Sequence, residues 1–133
     1  MTDLTVASTV RTPKISFSVN GNFDITGISM PDNAYEFYIG VLDWVKEYAK
    51  DPKPETFFSV KLRYLNSSSS SMMFKLFSEL NTMQNEGKTV VQCNWYCEED
   101  DTSMQDFVDA VKEFSPNVEI KTTEIQSVFG ISA

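Results

Sequence analysis

From Phe58 to Tyr64, and again from Val91 to Cys97, apolar side chains occupy every second position: Phe58, Val60, Leu62 and Tyr64 in the first run, Val91, Cys93, Trp95 and Cys97 in the second. A period of two marks a strand with one buried face and one wet face. Strands covered on both sides read instead as continuous apolar runs, so the alternation argues against a doubly wound sheet with helices on both faces. The helices of this chain should therefore lie mainly on one face. Ile15, Phe17 and Val19 repeat the pattern in residues 14–19, Phe23 and Ile25 carry it through 22–29, and Val118 with Ile120 give a short version near the end.

Asn20-Gly21 separates the first two of these runs. The pair suits a two-residue type I′ turn, whose central residues both need positive φ, and predicts an antiparallel hairpin. Between the later strands stand three stripes at helical spacing: Tyr38, Val41, Val45 and Tyr48; then Met73, Leu76 or Phe77, Leu80 and Met83; then Met104, Phe107, Val108, Val111 and Phe114. These read as core-facing helix surfaces. The order is β-β-α-β-α-β-α-β, an α/β fold in which strands joined through helices run parallel by right-handed crossovers. A mixed sheet of about five strands follows, an N-terminal hairpin continued by parallel β-α-β units. At 133 residues and 41% hydrophobic, one core and one domain, residues 1–133, account for the chain. Residues 1–11 and the tail from about Gln126 lack periodicity, and one or both of these ends are expected to be loosely held.

Charge and residue usage remove several functions. With 11 Lys and Arg against 19 Asp and Glu the net charge is −8, a poor match to nucleic-acid binding, which depends on cations that neutralise phosphates. No apolar run approaches the ~18 residues of a bilayer span, and Met1-Thr2-Asp3-Leu4 begins neither a basic nor an apolar export segment. A cytoplasmic protein that engages no membrane and no nucleic acid is expected. Cys93 and Cys97, four apart on a strand, lie ~13 Å from one another, beyond the ~7 Å limit for a disulfide, and read as buried reduced thiols. The chain has no His, which removes imidazole as base or ligand and with it Ser-His hydrolysis.

Parallel strands over 22–29, 57–65 and 89–97 bring their C-terminal ends to one edge, where open α/β sheets bind their ligands. Three polar connections meet there: Ser29 to Asn33, Asn66 to Ser71, and Glu98 to Asp101. Asn33 with Glu36 has capping-box spacing. Asp32 with Glu98, Glu99, Asp100 and Asp101 supplies the oxygens a hard cation prefers, the basis of a remote reading as a small acidic metal-dependent enzyme. Those acids lack the glycine and alternating ligands of a calcium loop, and a solvated turn capping the next helix is the plainer account. No metal site, catalytic residue or cofactor is assigned. Ser67 to Ser71 place five hydroxyls where a strand gives way to a helix. A hydroxyl there caps orphan N–H groups, and a phosphate added there meets the same donors and the positive end of the helix dipole. Local chemistry leaves cap, switch or both open, but with no adjacent base or nucleophile turn it does not favour serine catalysis.

Thr12-Pro13-Lys14-Ile15, Gly27-Ile28-Ser29-Met30-Pro31-Asp32-Asn33, Leu42-Asp43-Trp44, Tyr64-Leu65-Asn66-Ser67-Ser68-Ser69, and Trp95-Tyr96 before the acids follow in that order. Together they resemble the SiaC family of regulatory phosphoproteins, bacterial relatives in fold of the anti-sigma-factor antagonists. The resemblance covers most of residues 10–125 and implies a STAS-like fold. It implies phosphorylation at Ser67, where the family usually carries Thr in a Tyr-Leu-Asn-Thr-Ser-Ser junction, with Ser68 as the alternative. Asp32 stands where Glu is usual, and either acid suits a helix start. The partners implied are a histidine-kinase-like protein kinase, a metal-dependent phosphatase, and a diguanylate cyclase that the unmodified form binds and activates. Such a protein is a non-enzymatic partner-switching regulator in cyclic-di-GMP signalling, its binding edge formed by Asp32, Asn33, Asn66, Ser67, Ser68 and Ser69. An anti-sigma-factor antagonist that captures an anti-sigma kinase would use the same switch.

Overall fold

A computed structural model describes residues 1–129. The elements run β1 (Leu4–Val6), β2 (Lys14–Phe17), β3 (Asn22–Ser29), α1 (Ala34–Tyr48), β4 (Glu55–Leu65), α2 (Ser67–Asn85), β5 (Val90–Glu98), α3 (Thr102–Phe114) and β6 (Glu119–Ile125). They form one mixed α/β sheet in the order β1-β2-β3-β4-β5-β6. β1, β2 and β3 pair antiparallel, and β3 to β6 run parallel. Every parallel step advances the sheet the same way through one helix, and right-handed crossovers that all step one way lay their helices on one face. Phe58, Val60, Leu62, Val91, Cys93, Trp95 and Cys97 are accordingly buried, while Phe57, Val90 and Gln92 are exposed on the other face.

The core lies between that sheet face and the helices. α1 contributes Tyr38, Val41, Val45 and Tyr48, and α2 contributes Met73, Leu76, Phe77, Leu80 and Met83. Aromatic rings tie the layers: Phe17 stacks on Phe23 at 4.5 Å, Phe58 on Phe77 at 5.2 Å and Phe77 on Trp95 at 5.5 Å. Each pair of this kind adds about 0.5–1.5 kcal/mol beyond the area it buries. Phe114, expected in the α3 stripe, is 72% exposed in the last turn and only meets the Phe74 ring edge-on.

The sheet has six strands rather than about five because residues 4–6 join its edge, Leu4 opposite Phe17 and Val6 opposite Ile15. Three residues are too few to display a period, and distant partners hold them. Asp3 accepts a hydrogen bond from the Val19 N–H at 2.9 Å, and the Trp44 indole N–H donates to the Thr2 carbonyl at 2.8 Å. These two bonds pin the N-terminal end of the chain to the fold. At the other end Val128 is buried and its N–H donates to Glu98 at 2.8 Å. The rest of that expected loose tail, residues 130–133, lies outside the described residues.

The hairpin forms at Asn20-Gly21 but without a type I′ turn. Gly21 has φ +92°, whereas Asp100 is the only described non-glycine residue with positive φ, so Asn20 stays on the negative side. The Gly21 N–H donates to the Ser18 carbonyl at 3.0 Å, and the Ser18 N–H to the Asn22 carbonyl at 2.8 Å. This is a three-residue loop, a turn centred on Val19 and Asn20 with Gly21 as the bulge residue, and it asks for left-handed backbone only where glycine stands. β4 departs from its alternation as well. Gly27 pairs with Leu62 and Ile28 with Tyr64, which leaves Arg63 as an extra residue. The pleat flips there, so Leu65 packs against the core and Tyr64, 51% exposed, turns away from it.

Candidate functional site

β3, β4 and β5 end at one edge, and the chain leaves each through a capped helix start. The Asn33 side chain accepts from the Glu36 N–H at 3.1 Å, Asn66 from the Ser69 N–H at 2.9 Å, and Asp101 from the Met104 N–H at 3.1 Å. At the serine junction the cap is therefore Asn66, and Ser67 is the first residue of α2. The Asn66 N–H donates to the Ser29 carbonyl at 3.0 Å, which joins the first two connections. Asn66→Ala removes the cap and is expected to cost about 1 kcal/mol, read as a lower urea midpoint at unchanged slope.

The five serines are not equivalent. Ser67 is exposed, and among the described residues no hydrogen bond holds its hydroxyl. Ser68 is exposed and reaches the Asn66 side chain at 3.4 Å, while half-buried Ser70 donates to the Asn66 carbonyl at 3.1 Å. Ser71 is exposed. Ser69, predicted on the partner edge, lies beneath it at 0% exposure, where its Oγ accepts from Ser29 Oγ at 2.9 Å. Ser29 Oγ is in turn 2.6 Å from Tyr38 Oη. A hydroxyl has one proton, so with Ser29 donating to Ser69, Tyr38 donates to Ser29. Burial pushes the Tyr38 phenol up to about 12, so it keeps the proton that it donates to Ser29.

Ser29, Tyr38 and the inward turn of Ser69 are the part of this edge that motif reading misses. Spacing carries the signal nonetheless. Ser69 stands one turn before Met73 on the apolar stripe of α2, and Ser29 continues the inward series Phe23, Ile25, Gly27.

The third connection also arrives here. Asp101 and Ser103 meet Arg63, Tyr64, Leu65 and Ser70 in a cleft of about 270 Å³. Asp101 caps α3 and Glu98 holds the Val128 N–H, so two of the four consecutive acids serve the backbone. Asp32 is at the surface, 3.4 Å from Arg11, in a pair so exposed that it contributes at most about 1 kcal/mol. Among the described residues no group of three His, Cys, Asp or Glu is placed to hold a metal ion. Cys93 and Cys97 are buried free thiols. Burial raises both, and Asp101 raises Cys97 further, so neither supplies a thiolate. No helix among the described residues is long and apolar enough to cross a membrane.

The junction thus sets an exposed hydroxyl at a capped helix start, above a buried hydroxyl chain. The family model described as SiaC family regulatory phosphoprotein matches residues 6–125. This chain belongs to the SiaC family. An uncharacterized protein of Pseudomonas aeruginosa strain UCBPP-PA14 is 32% identical to it over 91 residues, 68% of this chain and 72% of that protein. Apo-SiaC of Pseudomonas aeruginosa is similar in structure at a TM-score of 0.83 and 26% identity, over 92% of this chain and 99% of that one. SiaC of the same organism has also been solved in complex with the diguanylate cyclase SiaD, whose activator it is. That structure is similar at a TM-score of 0.81 and 25% identity, over 91% of this chain and 100% of the matched chain. The resemblance carried by the motifs and the fold it implies are thus both borne out.

Proposed function

We propose that this SiaC family protein is a non-enzymatic cytoplasmic regulator that binds and activates a diguanylate cyclase, and that phosphorylation of Ser67 releases the cyclase. The observation that carries the reading is Ser67 itself: in a family of regulatory phosphoproteins, an exposed first-turn hydroxyl free of hydrogen bonds among the described residues, flanked on one edge by Asp32, Asn33, Asn66 and Ser68. A histidine-kinase-like protein kinase adds the phosphate and a metal-dependent phosphatase removes it. The cyclase is preferred to an anti-sigma kinase because SiaC, to which this chain is similar, is the activator of SiaD.

Physical chemistry supports such a switch. Phosphate brings about −1.5 to −2 charges, and a partner covering the edge has to strip their water. After incubation with the kinase and ATP, intact mass is expected to rise by a single phosphate that maps to Ser67, and Ser67→Ala to gain none. Phosphate retained by Ser67→Ala would move the site to Ser68.

A further inference from the structure

Two chains of buried hydroxyls pin α1 to the sheet, one at each end of the helix. At the edge away from the serines, Tyr48 Oη lies 2.8 Å from Thr56 Oγ1, which lies 2.8 Å from Thr89 Oγ1. At the serine edge the chain is Tyr38, Ser29 and Ser69, with links of 2.6 and 2.9 Å. Such links fix geometry, because breaking one strands a polar group away from water. Ser69 is held twice, by Asn66 at its N–H and by Ser29 at its hydroxyl.

A helix of 3.6 residues per turn advances about 100° per residue, so side chains two apart point in nearly opposite directions. With Ser69 locked inward, Ser67 faces out, and Ser68 stands about 100° to the side. We infer that Ser69, Ser29 and Tyr38 are positioning residues that select Ser67 over Ser68 as phosphoacceptor by fixing the rotation of the first turn of α2. The inference rests on the phosphorylation reading above. It also gives Tyr38, deep in α1, a part in a site 29 residues further along the chain.

The test maps phosphopeptides of the full chain after timed exposure to the kinase and ATP, with melting temperature followed in parallel. The variants are Ser69→Ala, Ser29→Ala and the milder Tyr38→Phe. Thr56→Val, which breaks the opposite hydroxyl chain, controls for lost stability. The unsubstituted protein and Thr56→Val are expected to carry phosphate on Ser67 alone. In the three variants the share on Ser68 should rise about tenfold or more, and kcat at Ser67 should fall about tenfold, with KM for the protein substrate nearly unchanged. Modification of Ser67 alone at the unsubstituted rate in Ser69→Ala and Tyr38→Phe overturns the inference. An equal redistribution in Thr56→Val does so too, since it would report general loosening. No phosphate on the unsubstituted protein is a separate result that overturns the functional reading itself.

Discussion

Titrated against a diguanylate cyclase, the Ser67→Asp protein is expected to bind about 100-fold more weakly than the unsubstituted one, a loss of about 3 kcal/mol, and yet to melt at a higher temperature. Both effects come from one carboxylate. α2 runs 19 residues with no acid in its own first turn, so its N-terminal end is capped by the neutral Asn66 side chain and carries no carboxylate of the helix. A charge at Ser67 gains about 0.3–1 kcal/mol from that end, which for a domain of this size is about 1–4 °C. The partner sees the same charge as water to be removed. In the cleft beside the junction Arg63 and Asp101 stand together, so no surplus cation there compensates. Calorimetry gives the melting temperature and an isothermal titration gives the affinity. A variant that binds weakly because it is damaged would melt lower, and that outcome, or an affinity within threefold of the unsubstituted protein's, contradicts the account. Phosphate carries more charge than Asp and should shift both quantities further in the same directions.

The strands and helices were legible in the sequence because their periods are set locally. Phe58, Val60 and Leu62, or Val41 and Val45, reveal a face without any knowledge of what covers it. Elements that depend on distant partners were not. β1 is three residues held by Asp3 to Val19 and by Trp44 to Thr2, contacts spanning up to 42 positions in sequence. The outward turn of Tyr64 follows from a bulge at Arg63, which exists only relative to Gly27 and Ile28 on the neighbouring strand. The serine junction divides in the same way. Its location follows from the strand-to-helix change. The burial of Ser69 depends on Ser29 and Tyr38, which approach it from 40 and 31 positions away. Composition made five serines look alike, and packing separates them.

Two glycine substitutions should move stability in opposite directions. Gly21→Ala is expected to lose about 3 kcal/mol, and Gly40→Ala to gain about 1 kcal/mol, in urea unfolding at unchanged slope. Replacing either glycine restricts the unfolded chain to the same small degree, which favours folding by about 0.4–1 kcal/mol in both cases. The difference between the two therefore reports the native conformation. Gly40 lies exposed within α1 with nothing inside 4 Å of an added Cβ, so the substitution only improves helix propensity. Gly21 sits at φ +92°, where a side chain is strained, and its Cβ would meet the Glu55 carbonyl at 2.6 Å and Tyr48 Oη at 3.1 Å. That carbonyl is backbone and cannot swing aside. To relieve the contact, the hairpin must draw back from β4, which strains the 2.7 Å bond from the Phe57 N–H to the Gly21 carbonyl. Pressure on Tyr48 reaches the hydroxyl chain through Thr56 and Thr89 at the same edge. A neutral Gly21→Ala would mean that residue 21 is not held in left-handed backbone against the Glu55 carbonyl, and would overturn this account of the loop.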